Sequence, residues 1–152
     1  MKKILFVAST LFIAGQVQAG PITPCTQANL NGSYVVYNAA VNSQTLNHNG
    51  RCEININAGV LSGTCVFGTN SSGQPGYNGP VHGTAVMNTN CSADVTMGFD
   101  PVPGVVHIDS NFDLQFSPNK ESFVGSFGNN FGVQGVTNGT RFNPQLPSTP
   151  AQ

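Results

Sequence analysis

The chain reads as an all-β domain, an eight-stranded antiparallel up-and-down barrel, on three observations. Apolar and polar residues alternate with a period of two along one segment after another. Clusters of Gly, Pro, Asn and Ser separate those segments. No helical periodicity of useful length runs through the chain beyond its N-terminal stretch. Eight strands in consecutive hairpins, each with one apolar face, are enough to close a small barrel and remove exposed edges. An open β-sandwich of the same strands is the alternative architecture.

The N-terminus starts with Met1-Lys2-Lys3, continues through the apolar run ILFVASTLFIAG and reaches Val17-Gln18-Ala19. A basic start, a short apolar run and a small-x-small site predict a signal peptide over residues 1–19, cleaved after Ala19. The run is too short and too poorly flanked for a membrane span. Residues 20–29 follow as an N-terminal arm, 30–142 as the barrel domain and 143–152 as a Pro-rich tail expected to be disordered. Export places the protein in the periplasm or outside the cell.

The first strand is SYVVYNAAV, residues 33–41. The second and third come from RCEININAGVLSGTC, residues 51–65, in which Cys52, Ile54, Ile56, Leu61 and Cys65 share one face. With Ala58-Gly59 at the tip, Asn57 faces Val60, Ile56 faces Leu61, Ile54 faces Gly63 and Cys52 faces Cys65. Cys52–Cys65 then falls on a non-hydrogen-bonded pair, with Cα atoms roughly 4.5 Å apart, a separation a disulfide accepts.

Residues 69–80 form a long Gly/Pro/Ser loop. The fourth strand presents Val81, Gly83, Ala85 and Met87 on one face, and a turn at Asn88-Thr89-Asn90, with Asn90 left-handed, returns the chain. The fifth strand alternates Cys91, Ala93, Val95, Met97 and Phe99 with polar residues, until DPVPG breaks it. The sixth sets Val106, Ile108, Ser110, Phe112, Leu114 and Phe116 against His107, Asp109, Asn111, Asp113 and Gln115. SFVGSFG and FGVQGVTNGTRF supply the last two.

With Cys52–Cys65 assigned, Cys25 and Cys91 remain as the second disulfide of an exported chain. Zinc is the rival use of four cysteines, but no CxxC-like spacing or nearby histidine completes a set. Without Lys2 and Lys3, three basic residues (Arg51, Lys120, Arg141) stand against six acidic ones, a charge of about −3. That balance argues against nucleic acid and anionic membrane surfaces as partners.

The two ends of the barrel segment resemble the calycin barrels, the group that includes lipocalins, fatty-acid-binding proteins and avidins. Leu30-Asn31-Gly32-Ser33-Tyr34 is similar to their L-x-G-x-W opening, and Thr140-Arg141-Phe142 to their ending. The resemblance implies that Arg141 lies on the ring of Tyr34 and closes the base of the barrel, a cation–π contact of roughly 0.5–2 kcal/mol. It also implies a ligand in the interior. The chain has no Trp, which argues against biotin.

His107, Asp109 and Asp113 lie on the polar face of one strand and His82 on that of another. Hairpin register places His82 opposite Thr96 and Thr96 opposite Asp109, so His82 and Asp109 lie roughly 10 Å apart, too far for a catalytic hydrogen bond. A metal site built on His107 and Asp109 lacks a third ligand. No paired carboxylates project from the apolar face and no Ser or Cys nucleophile has a placed base, so no enzyme and no cofactor are expected.

The inward face mixes large residues (Met97, Phe99, Ile108, Phe112, Leu114, Phe123, Phe127) with small ones (Gly63, Gly83, Ala85, Ala93, Ser110, Gly125, Gly135). The small residues either leave a cavity or relieve crowding where strands coil. On the first alternative, Met97, Ile108, Phe112, Leu114 and Phe123 would contact a small, largely apolar ligand. Tyr77, in the long loop, would act as a lid over the barrel mouth or as a contact for sugar or protein, or would pack down on its own loop. A protein-interaction role is the alternative. The layout resembles bacterial metalloprotease inhibitors, which implies that GPITPCTQ enters a protease, and the Asn/Thr-rich exterior suits an adhesin-like module.

Overall fold

A computed structural model describes residues 23–41 and 46–142. The expected signal peptide 1–19, residues 20–22 of the arm and the tail 143–152 lie outside the described residues. After a short 3₁₀ turn, Gln27–Leu30, the strands run in chain order: β1 (Gly32–Ala40), β2 (Asn49–Asn57), β3 (Val60–Phe67), β4 (Asn78–Met87), β5 (Ser92–Val102), β6 (Val106–Phe116), β7 (Ser122–Asn129) and β8 (Gln134–Arg141). Each pairs antiparallel with the next, and β8 pairs with β1 from Tyr34↔Arg141 to Ala40↔Gly135, so the sheet closes into a barrel. Closure rules out the sandwich.

The β2–β3 hairpin has the register read from its alternation, with Asn57↔Val60, Ile56↔Leu61, Ile54↔Gly63 and Cys52↔Cys65. Ala58 and Gly59 both take positive φ, 49° and 85°, the pair of dihedrals a two-residue turn needs to match strand twist. Cys52–Cys65 is bonded across this hairpin with Cα atoms 4.0 Å apart, and Cys25–Cys91 joins the arm to the β4–β5 turn.

Three elements differ from the sequence reading. Cys91, not Asn90, takes the left-handed conformation, at φ 66°, so β5 starts at Ser92 and the β4–β5 register moves by two, with Met87 opposite Ala93. β4 begins at Asn78, which shortens the preceding loop to 68–77. β5 does not stop at Asp100-Pro101 but runs to Val102, with a register shift between Phe99 and Val102. A bulge is where a proline, lacking its N–H, fits a strand.

Inside, the base is sealed. Leu30 and Tyr34 are fully buried, and Tyr34 lies against Phe116 and Phe123 with ring centroids 6.1 and 6.0 Å away. The Gln27 amide donates to Ala85 O (2.8 Å) and accepts from Met87 N (2.9 Å), which fixes the 3₁₀ turn beneath β4. The Arg141 guanidinium lies 5.2 Å from the Tyr34 ring centroid. It donates to Asn31 O (2.8 Å), Asn29 O (2.7 Å) and Tyr34 Oη (2.9 Å). Tyr34 Oη in turn donates to Leu30 O at 3.0 Å. One cation thus satisfies carbonyls of the turn and the phenol below it, joining the first strand to the last.

The small inward residues do not open a channel. Phe67 faces Gly50, Phe123 faces Gly139 and Phe127 faces Gly135 across neighbouring strands. In each pair a Cβ on the glycine would run into the ring opposite. At Gly63, Gly83 and Gly125 a Cβ would overlap a carbonyl oxygen of the adjacent strand, from Glu53, Thr96 and Asp113. These are close approaches at which the sheet coils tightly, the corner device of small barrels. Relief of crowding, not a cavity, accounts for the glycines.

Candidate functional site

The strands leave the sealed base and end at an opening framed by residues 46–48, 68–77, 102–106 and 129–133. Between the ends, Met97, Phe112, Leu114 and Phe123 surround a residual space of about 20 Å³. That is room for about one water molecule. Phe112 stacks on Phe127 at 5.3 Å, and each of the four side chains is buried. Facing rings thus take up most of the lumen at this level, the crowded alternative for the small inward residues.

Above this floor lies a cleft of about 700 Å³, lined chiefly by Leu46, His48, Phe67, Tyr77, Phe99, Ile108, Phe131 and Val133. Of the six residues expected to touch a ligand, Ile108 and Tyr77 are here. Phe67, Tyr77 and Phe99 form one aromatic cluster, with centroids 4.7 Å apart for Tyr77–Phe99 and 5.2 Å for Phe67–Phe99. His48 sets its ring against Phe67 at 5.5 Å and donates from Nδ1 to Leu46 O at 2.7 Å. Val41, Val102, Val105 and Phe131 stay exposed around or near the rim, Val105 at 78%.

Tyr77 packs down against Phe67 and Phe99, with ring centroids 6.1 and 4.7 Å away. Its backbone exchanges two hydrogen bonds with Phe67, at 2.7 and 3.1 Å, and its hydroxyl donates to Pro80 O at 2.6 Å. Partial burial, then the Asp100 carboxylate, hold its phenol above the usual range. The rest of the loop is organised by Asn70, whose Oδ1 accepts from Ser72 N, Ser72 Oγ and Gln74 N at 3.1, 2.8 and 3.0 Å. Hydrogen bonds within the loop thus hold this side of the mouth in place.

Asn38, Ser110 and Thr137 are buried polar side chains that all face inward, and of these the sequence reading placed only Ser110. Thr137 Oγ1 donates to Tyr37 O at 3.2 Å, and the Asn38 amide nitrogen lies 3.8 Å from Cys52 Sγ, while Asn38 Oδ1 accepts no hydrogen bond. Alternation from Tyr34 through Val36 to Asn38 was the signal that could have found Asn38.

On the outer wall, His82 pairs with Gly98 and Gly98 with Asp109. Gly98, and not Thr96, separates them because the β4–β5 and β5–β6 registers each lie two residues from the expected ones. The His82 ring lies 6.3 Å from that of His107, and His107 sits between Asp100 and Asp109. Asp113 faces Asp94 farther down the same strands.

The architecture is that of a closed eight-stranded antiparallel up-and-down barrel with one sealed and one open end. A redesigned β-barrel, mFAP1, solved bound to DFHBI, is similar over 77% of this chain and 98% of its own, at 13% identity and a TM-score of 0.53. A second solved structure, a fluorescence-activating β-barrel designed de novo, is similar over 76% of this chain and 96% of its own, at 11% identity and a TM-score of 0.50. Both likenesses show the fold alone. No protein-family model matches the chain, and no curated protein matches it.

Proposed function

We propose that the protein is an exported, non-catalytic barrel that binds one small, largely apolar molecule in its open mouth. The observation carrying this reading is the aromatic-lined cleft of about 700 Å³ above a packed floor. Ligand sites fall in the range of about 300–1,000 Å³ and combine apolar walls with a few polar groups, the part taken here by His48, Asn70 and Gln74. Export is supported by the two disulfides, which persist in oxidising compartments. That mFAP1 was solved with DFHBI bound supports the capacity of such a barrel to hold a small ligand.

The test is titration with the hydrophobic dye anilinonaphthalene sulfonate, followed by fluorescence. Saturable single-site binding is expected, weakened about tenfold by Phe99→Ala, the loss of one ring contact of about 1.4 kcal/mol. Phe123→Leu, at the sealed base, should leave it unchanged. No saturable binding, or equal binding in Phe99→Ala, would overturn the reading.

A protein partner is the second reading, supported by the exposed apolar rim at Val41, Val102, Val105 and Phe131. An inhibitory arm is less well supported. Cys25 is bonded to Cys91 and Gln27 is held under β4, so such an arm would have to act through residues ahead of Cys25.

A further inference from the structure

We infer that the mouth takes a neutral, planar aromatic molecule carrying a hydrogen-bond donor, a phenol being the simplest case, and that His48 Nε2 accepts that donor. This deepens the ligand reading above and rests on it.

The walls define the body of the ligand. Phe67, Tyr77 and Phe99 stand 4.7, 5.2 and 6.1 Å from one another, centroid to centroid, and Phe131 adds a ring that is 53% exposed. A flat π-system joins such a cluster through the offset and edge-to-face contacts that aromatic pairs prefer. Beneath them the lumen retains only about 20 Å³, so a long acyl chain has no depth to enter. No Asp, Glu, Lys or Arg stands among the described residues lining the cleft. A charged group drawn inside would lose its hydration without gaining a partner. The part that enters is therefore neutral, and any ionic substituent stays in the water outside.

The donor follows from what the wall leaves unpaired. Asn70 Oδ1 takes three donors of its own loop, and its amide nitrogen donates to Gln74 Oε1 at 2.8 Å. Asn129 Oδ1 accepts from Phe131 N and Val133 N, both at 3.0 Å. The Tyr77 hydroxyl is engaged by Pro80 O. His48 differs. A carbonyl can only accept, so Nδ1, 2.7 Å from Leu46 O, carries the ring proton. In the neutral imidazole Nε2 is then an acceptor, and it has no hydrogen-bond partner among the described residues. The Leu46 bond and the contact with Phe67 hold the ring in the wall of the cleft. An unpaired acceptor among apolar walls selects a ligand that brings a donor.

Isothermal titration at about pH 8, where a free imidazole is neutral, tests this with three probes. 2-Naphthol is planar and carries a donor, 2-methoxynaphthalene lacks the donor, and decahydro-2-naphthol lacks the aromatic rings. His48→Phe should cost 2-naphthol about fivefold in affinity and leave 2-methoxynaphthalene unchanged. Phe99→Leu should cost 2-naphthol about fivefold and leave decahydro-2-naphthol unchanged. Melting curves establish that both variants are folded. If the dye binds but 2-naphthol does not, or if His48→Phe affects the phenol and its methyl ether equally, this inference is overturned alone. An equal effect of Phe99→Leu on the planar and saturated alcohols would overturn it too. Failure of the dye and of all three probes would overturn the ligand reading and this one with it.

Discussion

The claim that rings opposite glycines fill the lumen can be tested at Gly139. On β8 it faces Phe123 of β7, and a Cβ added there would lie 2.6 Å from Cε1 and 3.0 Å from Cε2 of the ring. The ring has nowhere to retreat, because Phe116 and Tyr34 stand 5.1 and 6.0 Å from its centroid. Gly139→Ala therefore overpacks the base, at about 1–3 kcal/mol. Reduced freedom of the unfolded chain offsets about 0.4–1 kcal/mol of that. The net expectation is a loss of about 1–2 kcal/mol.

Phe123→Leu removes the ε and ζ carbons, and the steric penalty goes with them. In that background the same Gly139→Ala should become neutral or stabilising by up to about 1 kcal/mol. The coupling, about 2 kcal/mol, lies well inside the range for residues in contact. Urea denaturation of the four proteins reads it directly. Gly128→Ala, whose Cβ would meet nothing closer than 3.8 Å, is the control and should be neutral or slightly stabilising. An equal Gly139→Ala cost in both Phe123 backgrounds would refute the packing account.

Three further outcomes are expected. The Cys25–Cys91 bond closes a loop with a sequence separation of 66 and Cys52–Cys65 one of 13. Chain entropy then assigns them about 4 and about 3 kcal/mol, so paired Cys→Ala variants should melt in that order. His107, hydrogen-bonded to Asp100 and then Asp109, has its imidazole pKa raised above the ordinary 6.5. Its favourable pairing is fully present below that value and lost as pH rises through the raised midpoint. Asp100→Asn should bring the NMR-detected midpoint down, and an unmoved midpoint would contradict the assignment. Arg141→Ala removes charged hydrogen bonds to Asn29, Asn31 and Tyr34 and should cost about 2–3 kcal/mol in denaturant.

Much of the fold was legible because a hairpin with a short turn fixes its own register. Cys52↔Cys65 followed once Ala58-Gly59 was taken as the tip. The β4–β5 turn was less legible, since Asn is the usual left-handed residue while here a disulfide-bonded cysteine takes that conformation, at Cys91. That choice moved the partner of His82 from Thr96 to Gly98. Whether the lumen is filled or hollow stayed open, because composition shows how many small residues face inward but not which ring lies across from each. Register held that information: Gly135 and Gly139 are opposite Phe127 and Phe123 in a single hairpin. The mouth depended on the bulge at Asp100-Pro101, where a proline read as a strand end and β5 nevertheless continued.

The Cys52–Cys65 bond lies inside the closed wall, with both residues at 1% exposure or less. An oxidant or reductant needs access to sulfur, and the finished barrel denies it. The natural moment for this bond to form is while the β2–β3 hairpin exists and β8 has not yet met β1. Its cysteines are close in the chain, so that early hairpin already brings them together. Once the last strand docks, thiol exchange at this bond must wait for the wall to reopen, and resistance to reductants becomes a measure of how rarely the β1–β8 seam parts.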